Sequence, residues 1–247
     1  MTRGRRTLAG WPPAAGPPPG PYDLGRTLGV LARGPGDPAY RVAADGAVWR
    51  ASRTPAGPGT VRMAARDGRV LAEAWGPGGD WLLDHLPALL GADDDPAAFV
   101  PRHRLLHEAH RRNPGLRLAR TGLVLESLVP AVLEQKVTSD EAYRAWRLLL
   151  SRHGDPAPGP SSGMPRMRVM PDARAWALIP SWEWHRAGVD GKRSATIVRA
   201  GAGGVPPGVR VLPGPRAGPR PCCAPCPASA RGRRRRRCSA AMARRTR

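Results

Sequence analysis

The stretch that decides the fold runs from Leu123 to Gly154 and reads LVLESLVPAVLEQKVTSDEAYRAWRLLLSRHG. Its first part has apolar residues at i, i+3, i+4, i+7 and i+8, the spacing of a helix with one buried face. Those residues are Leu125, Leu128, Val129, Val132 and Leu133. Thr138 followed three positions later by Glu141 is a capping box, so the chain turns at Lys136-Val137 and a second helix begins there. The stretch therefore predicts two core-facing helices joined by a tight turn.

The chain before this stretch changes character at about Trp75. From Leu24 to Trp75, brief apolar segments are separated by turn signals such as Asp45-Gly46 and Asp67-Gly68, which favour hairpins in an antiparallel sheet. Beyond Trp75 the patterns become helical. Asp80 is predicted to cap a helix that Pro87 kinks or shortens and that ends at a left-handed Gly91. A second helix is predicted over Arg102–Arg112.

The chain after Gly154 carries three further helix starts. Asp172, Ser181 and Asp190 are each predicted to cap a helix, and the last of these helices is still under way when the composition changes at Gly201. The sequence thus predicts four segments. They are a disordered Arg/Pro-rich arm (1–22), a sheet-plus-helix domain (23–115), a partial helical domain (116–200) and a disordered basic tail (201–247).

The tail holds 12 arginines and no Asp or Glu, in a chain whose net charge is +21. It has too few apolar residues to order itself by burial. All four cysteines lie there, namely Cys222, Cys223, Cys226 and Cys238. Unpaired thiols are favoured over a zinc site, which would need a second Cys-x-x-Cys pair. Gly, Ala, Pro and Arg are also what GC-rich DNA encodes when it is read out of frame, and we expect the tail to be such a product.

Other classes of protein are disfavoured by the sequence. It has no apolar run long enough to span a membrane and no secretory signal, so a soluble, cytoplasmic protein is expected. His103, His107 and His110 share one helical face, but their spacing is one residue short of the zinc-protease motif His-Glu-x-x-His. We therefore predict no metal site, and a zinc-dependent hydrolase stays only a formal alternative.

Several of these motifs resemble those of the AlkA-like DNA-3-methyladenine glycosylases of the helix-hairpin-helix superfamily. In that family an apolar helix ends in Gln-x-Val-Ser/Thr, which Gln135, Val137 and Thr138 match. Leu89–Gly91 and Pro114–Arg117 resemble the junction between the family's sheet domain and helical domain. Downstream, Pro171–Ala200 looks like the next helices, and the resemblance covers residues 24–200.

The resemblance implies an α+β fold, with an N-terminal antiparallel β-sheet domain with helices followed by an all-helical DNA-glycosylase domain. The implied activity is base excision, in which an alkylated base is flipped out of double-stranded DNA and its glycosidic bond is hydrolysed without cofactor or metal. No obligate protein partner and no membrane are implied. Lys192 and Arg193 are the candidate DNA-binding residues, at the start of the last helix.

The sequence departs from the family after Ala200. The family's Pro-Gly-x-Gly hairpin does not follow. The resemblance also implies a catalytic Asp in this region, but residues 201–247 contain no Asp, so no catalytic residue is assigned. We expect a helical domain that is incomplete because the reading frame is lost near Gly201, and a chain that is inactive. The competing interpretation is a non-enzymatic nucleic-acid binder, in which the arginine tail supplies the affinity.

Overall fold

The computed structural model describes residues 8–11, 22–66, 69–92, 94–160 and 162–203. All of these residues fall within one compact unit, and the α+β class expected from the sequence is confirmed. Residues 204–247, which make up most of the predicted tail and include its four cysteines, lie outside the described residues. None of the helices in the described part is long and apolar enough to cross a membrane.

An antiparallel sheet of five strands, in the order β1-β5-β4-β3-β2, forms the N-terminal part. The strands are β1 Leu8–Trp11, β2 Tyr40–Val42, β3 Val48–Thr54, β4 Gly57–Arg66 and β5 Arg69–Trp75. The predicted turn at Asp45-Gly46 is confirmed, and Gly46 has a φ of +77° there. The second predicted turn, Asp67-Gly68, lies outside the described residues. Strand β1 corrects the prediction that the whole of 1–22 is disordered, because it pairs with β5 along the sheet edge.

Three short helices accompany the sheet: α1 Leu24–Gly29, α2 Gly79–Asp84 and α3 Leu86–Leu89. The predicted helix from Asp80 is thus two helices, broken at His85 beside Pro87. Its predicted cap was wrong, since Gly78 is the N-cap and Asp80 lies in the first turn. Gly91 follows α3 with a φ of +74°, the left-handed geometry that the sequence predicted.

The helices of the C-terminal part are α4 Arg104–Arg112, α5 Val124–Leu133, α6 Ser139–His153, α7 Ala173–Leu178, α8 Ser181–Arg186 and α9 Gly191–Gly201. The capping box of α6 is confirmed, because the Thr138 N–H donates to Glu141 (2.9 Å) and the Glu141 N–H donates to Thr138 (3.4 Å). The cap at Asp172 is confirmed as well. Ser181 was wrongly predicted as a cap, since Pro180 holds that position. A two-stranded sheet, β6 Asp155–Pro156 with β7 Arg168–Val169, lies between α6 and α7.

Buried apolar side chains form three clusters in the described part of the chain. One lies between the sheet and α1–α3, a second lies among α5–α9, and a smaller third one joins β3 to β7. The predicted buried face of α5 is confirmed at Val129, Val132 and Leu133, while Leu125 and Leu128 are partly buried. The helical cluster is completed by Trp146 of α6 and by aromatic and apolar residues of α7, α8 and α9.

A buried ion pair joins the sheet to the helical part. Glu126 of α5 reaches the sheet, where its carboxylate pairs with Arg50 and accepts hydrogen bonds from the Ser52 hydroxyl (3.0 Å) and the Arg53 N–H (3.1 Å). The side chains of Arg50 and Glu126 are only 7% and 11% exposed. Because charges so far from water need partners, this network fixes how α5 meets β3.

Helix α4 differs from the other long helices because none of its residues is buried. Leu105 and Leu106 are exposed, as are Phe99 and Leu118 in the segments that flank it. An open cavity of about 470 Å³ lies between this helix and those segments.

Candidate nucleic-acid interface

Two turns lie side by side at one end of the helical part. The first joins α5 to α6 through residues 134–138, and the second joins α8 to α9 through residues 187–190. A hydrogen bond connects them, since Nη1 of Arg193 donates to the carbonyl of Leu133 at 2.8 Å. We call the surface formed by these two turns the two-turn face.

Arg193 lies behind this face and is only 8% exposed. In addition to its bond to Leu133, its Nη2 donates to the carbonyl of Gly188 (3.0 Å) and its Nε donates to Asp190 (2.6 Å). The guanidinium therefore holds three acceptors, on α5, on the α8–α9 turn and at the cap of α9. Its positive charge is balanced by the Asp190 carboxylate.

Asp190 starts α9 as the sequence predicted. Its carboxylate accepts hydrogen bonds from the backbone N–H groups of Lys192 (2.9 Å) and Arg193 (3.0 Å). The Arg193 N–H first, and then the Arg193 side chain, lower the pKa of Asp190 from 3.8 to about 2. The preceding Gly188 has a φ of +78°, which lets the chain reverse between α8 and α9.

Lys136 is at the tip of the other turn and has an unusual backbone conformation. Its φ of +58° is the only positive φ of a non-glycine residue in the described part of the chain. Such a conformation costs free energy for residues with a side chain, and it is found in tight turns and at functional sites. The side chains of Lys136 and of its neighbour Gln135 are exposed.

The two-turn face contains both lysines of a chain that has 40 lysines and arginines in all. Lys136 is in the first turn, and Lys192 is in the first residues of α9, next to the second turn. Both side chains are exposed. Two exposed cations, each close to the N-terminus of a helix, are suited to an anionic ligand such as a phosphate.

The structure places the two predicted DNA-binding residues differently. Lys192 is exposed and can contact a ligand, whereas Arg193 is buried and donates its hydrogen bonds to groups of the protein itself. Sequence reasoning missed Lys136 as a site residue, although its place beside Gln135 in the quoted motif was a signal for it. Trp182 is 66% exposed, whereas Trp184 is buried against Trp176 with ring centroids 5.7 Å apart.

The three histidines predicted to share a helical face lie on α4 and at its N-cap, and they form no metal centre. His103 is the N-cap of α4, and His110 packs edge-on against Phe99 with ring centroids 5.5 Å apart. Within the described residues, no group of three or more His, Cys, Asp or Glu side chains is placed to hold an ion. The zinc-hydrolase alternative thus gains no support from this part of the chain.

Several solved structures have a fold similar to that of this chain. MBOgg1 in complex with a low-affinity DNA ligand matches with a TM-score of 0.55 and 14% identity, over 73% of this chain and 58% of that chain. The 3-methyladenine DNA-glycosylase from Archaeoglobus fulgidus matches with a TM-score of 0.58 and 17% identity, over 73% of this chain and 63% of that chain. The chain has the fold of a DNA glycosylase.

A third solved glycosylase structure is also similar. The 8-oxoguanine glycosylase/lyase of Clostridium acetobutylicum, bound to double-stranded DNA, matches with a TM-score of 0.54 and 8% identity, over 73% of this chain and 58% of that chain. No family model matches the sequence, and no curated protein matches it. The present chain covers about three fifths of the length of these glycosylase structures.

The pKa of Asp190 predicts how stability depends on pH. Because this pKa is lower in the folded protein than in the unfolded chain, the ionised carboxylate stabilises the fold above about pH 4, and this stabilisation is lost as the pH falls toward about 2. We expect Asp190→Asn to unfold at a lower temperature than the wild type at pH 7, with the difference closing by about pH 2. Thermal unfolding across this range measures it, with Asp140→Asn in α6 as the charge control. A difference that persists unchanged at pH 2 would contradict the assignment.

Proposed function

We propose that this chain is a DNA N-glycosylase of the 3-methyladenine type, a base-excision-repair enzyme that binds double-stranded DNA containing alkylated bases. The observation that carries the proposal is the shared fold of three glycosylase structures, two of them bound to DNA. The alkylated-base specificity is what the resemblance to the 3-methyladenine glycosylases implies, and the motif Gln135-x-Val137-Thr138 is part of that resemblance. The protein acts in the cytoplasm, with no cofactor, no metal and no obligate protein partner.

The two-turn face is the proposed DNA contact. Lys136 and Lys192 provide positive charge, and two carboxylates of the adjoining turns are paired with arginines, Asp190 with Arg193 and Glu134 with Arg33. Contacts to phosphates supply most of the affinity of a protein for DNA and require exposed cations of this kind. Lys192 contacts a phosphate directly, whereas Arg193 stays within the protein.

The second part of the proposal is that the chain in its present reading frame does not cleave the glycosidic bond. Hydrolysis of this bond develops positive charge on the sugar, which a carboxylate stabilises. The family's hairpin and Asp would follow Ala200, where residues 201–247 contain neither Asp nor Glu. We propose that the reading frame is lost near Gly201.

A base-release assay tests the proposed function. The full chain is incubated with duplex DNA that has been treated with a methylating agent, and free methylated base is measured. We expect binding of the duplex but no release above the protein-free control. Repeated catalytic turnover would contradict the proposed inactivity, and absence of any binding to duplex DNA would contradict the proposed function.

The alternative is a non-enzymatic nucleic-acid binder that uses the arginines of residues 201–247. It is favoured by one observation, the 12 arginines without an acid in that segment. Replacing Arg233–Arg237 with glutamine in the full chain tests it. If the tail alone binds DNA, the slope of the logarithm of the binding constant against the logarithm of the salt concentration becomes shallower by up to about 0.9 for each lost phosphate contact. Bound DNA then does not protect Lys136 and Lys192 from chemical labelling of their amines. Protection of the lysines in this variant would favour the glycosylase proposal.

A further inference from the structure

We infer that Arg193 is a positioning residue that sets the two turns of the two-turn face at a fixed spacing, so that Lys136 and Lys192 engage one DNA duplex together. The inference rests on the proposed DNA-binding function. It assigns Arg193 a role different from the phosphate contact that its place in the sequence suggested.

The first support is the geometry of the guanidinium. Its bonds to Asp190 and Gly188 are local, because they tie α9 to the turn just before it. The bond to Leu133 crosses 60 positions of sequence and ties that turn to the end of α5. Leu133 is the last residue of α5, where carbonyl groups lack partners within the helix. Arg193 thus satisfies such a carbonyl and joins the two turns at once.

The second support is where the lysines lie relative to this bond. Lys192 directly precedes Arg193, and Lys136 is three residues beyond Leu133. The backbone of each lysine is therefore tied, within three residues, to one end of the same hydrogen bond. A rigid guanidinium fork suits this role, because it holds several acceptors in fixed directions, which the single ammonium of a lysine does not.

The third support is the reach of the Arg193 charge into α6. The pKa of Glu141 is lowered by the Thr138 N–H first, then by the Thr138 hydroxyl, and the positive charge of Arg193 adds to the effect. Arg193 is therefore close to the capping box that begins α6. The turn that carries Lys136 is held from both sides, by this capping box and by the Leu133 bond.

Amine labelling tests the inference, because the chain has only two lysines. A reagent that acetylates amines reports on Lys136, Lys192 and the N-terminus, and it does not react with the arginines. The full chain is labelled at increasing concentrations of a short DNA duplex, and protection of each lysine is measured by mass spectrometry. In the wild type we expect both lysines to be protected with the same midpoint.

The test variant is Arg193→Met, with Arg199→Met as the matched control on the exposed side of α9. We expect the midpoints of the two lysines to separate by about fivefold in Arg193→Met, the effect of losing one hydrogen bond, and to coincide in the control. A parallel shift of both midpoints would overturn the inference, because it would indicate a direct phosphate contact. Unchanged midpoints with a lower unfolding temperature would also overturn it, because they would indicate a structural role alone.

Two further outcomes are covered by the design. If Arg193→Met does not fold, Arg193→Gln carries the same test, because its amide can reach one of the two carbonyls but cannot span both. If neither lysine is protected in the wild type although the duplex is bound, the proposed interface itself is wrong, and the inference falls with it. That result is distinguishable from a failure of the inference alone, in which wild-type protection is present.

Discussion

Replacing Glu126 with alanine is expected to lower the free energy of unfolding by about 3–5 kcal/mol. Glu126 and Arg50 form an ion pair between α5 and β3, and both side chains are almost completely buried. Removal of the carboxylate leaves the Arg50 guanidinium without its counter-charge in a region that water reaches poorly. The Ser52 hydroxyl and the Arg53 N–H lose an acceptor at the same time. Chemical denaturation of the two proteins measures the difference.

Glu108→Ala is the matched control for this experiment. Glu108 pairs with Arg104 and Arg112 on the surface of α4, where both arginine side chains are more than three quarters exposed. Exposed pairs contribute about 0–1 kcal/mol, so the control is expected to change stability little. If Glu126→Ala costs no more than Glu108→Ala, the buried pair does not join the sheet to the helices.

Replacing Asp37 with alanine is expected to cost about 3 kcal/mol, from the loss of three hydrogen bonds to one buried carboxylate. Asp37 is 2% exposed. It accepts hydrogen bonds from the Trp146 indole (2.9 Å), the Arg33 N–H (2.8 Å) and the Ala39 N–H (2.9 Å). These bonds anchor the loop before β2 to α6, and in the variant one buried indole and two partly buried backbone N–H groups lose their partner.

The control for Asp37 is Asp45→Ala. Asp45 also accepts a backbone hydrogen bond, from Ala47 at 3.1 Å, but its side chain is about half exposed in a hairpin turn. Water can replace the lost acceptor there, so we expect a change of less than about 1 kcal/mol. Equal losses for the two variants would show that burial of Asp37 does not matter.

Local signals in the sequence predicted much of this fold. The capping box at Thr138, the caps at Asp172 and Asp190 and the turn at Asp45-Gly46 are confirmed, because each depends on atoms a few residues apart. The helix break at His85 was harder to predict from the sequence. Pro87 indicated a kink, but whether a helix bends or splits depends on what its two halves pack against.

Contacts distant in sequence could not be predicted in this way. Glu126 lies on a helix whose apolar spacing says nothing about an arginine 76 positions earlier, so the ion pair that joins the two parts was missed. For the same reason Arg193 was taken for a surface cation. Its partner Leu133 is 60 positions away, and the sequence does not distinguish an arginine that donates to carbonyl groups from one that binds phosphate.

We propose that this chain is a DNA glycosylase whose reading frame is lost near Gly201. The most direct test is to resequence the gene from codon 190 onward and to translate all three frames. We expect another frame to continue from about Ala200 into a glycine-rich hairpin, a helix and an Asp. Confirmation of the present frame, with no such continuation in either of the others, would contradict the claim.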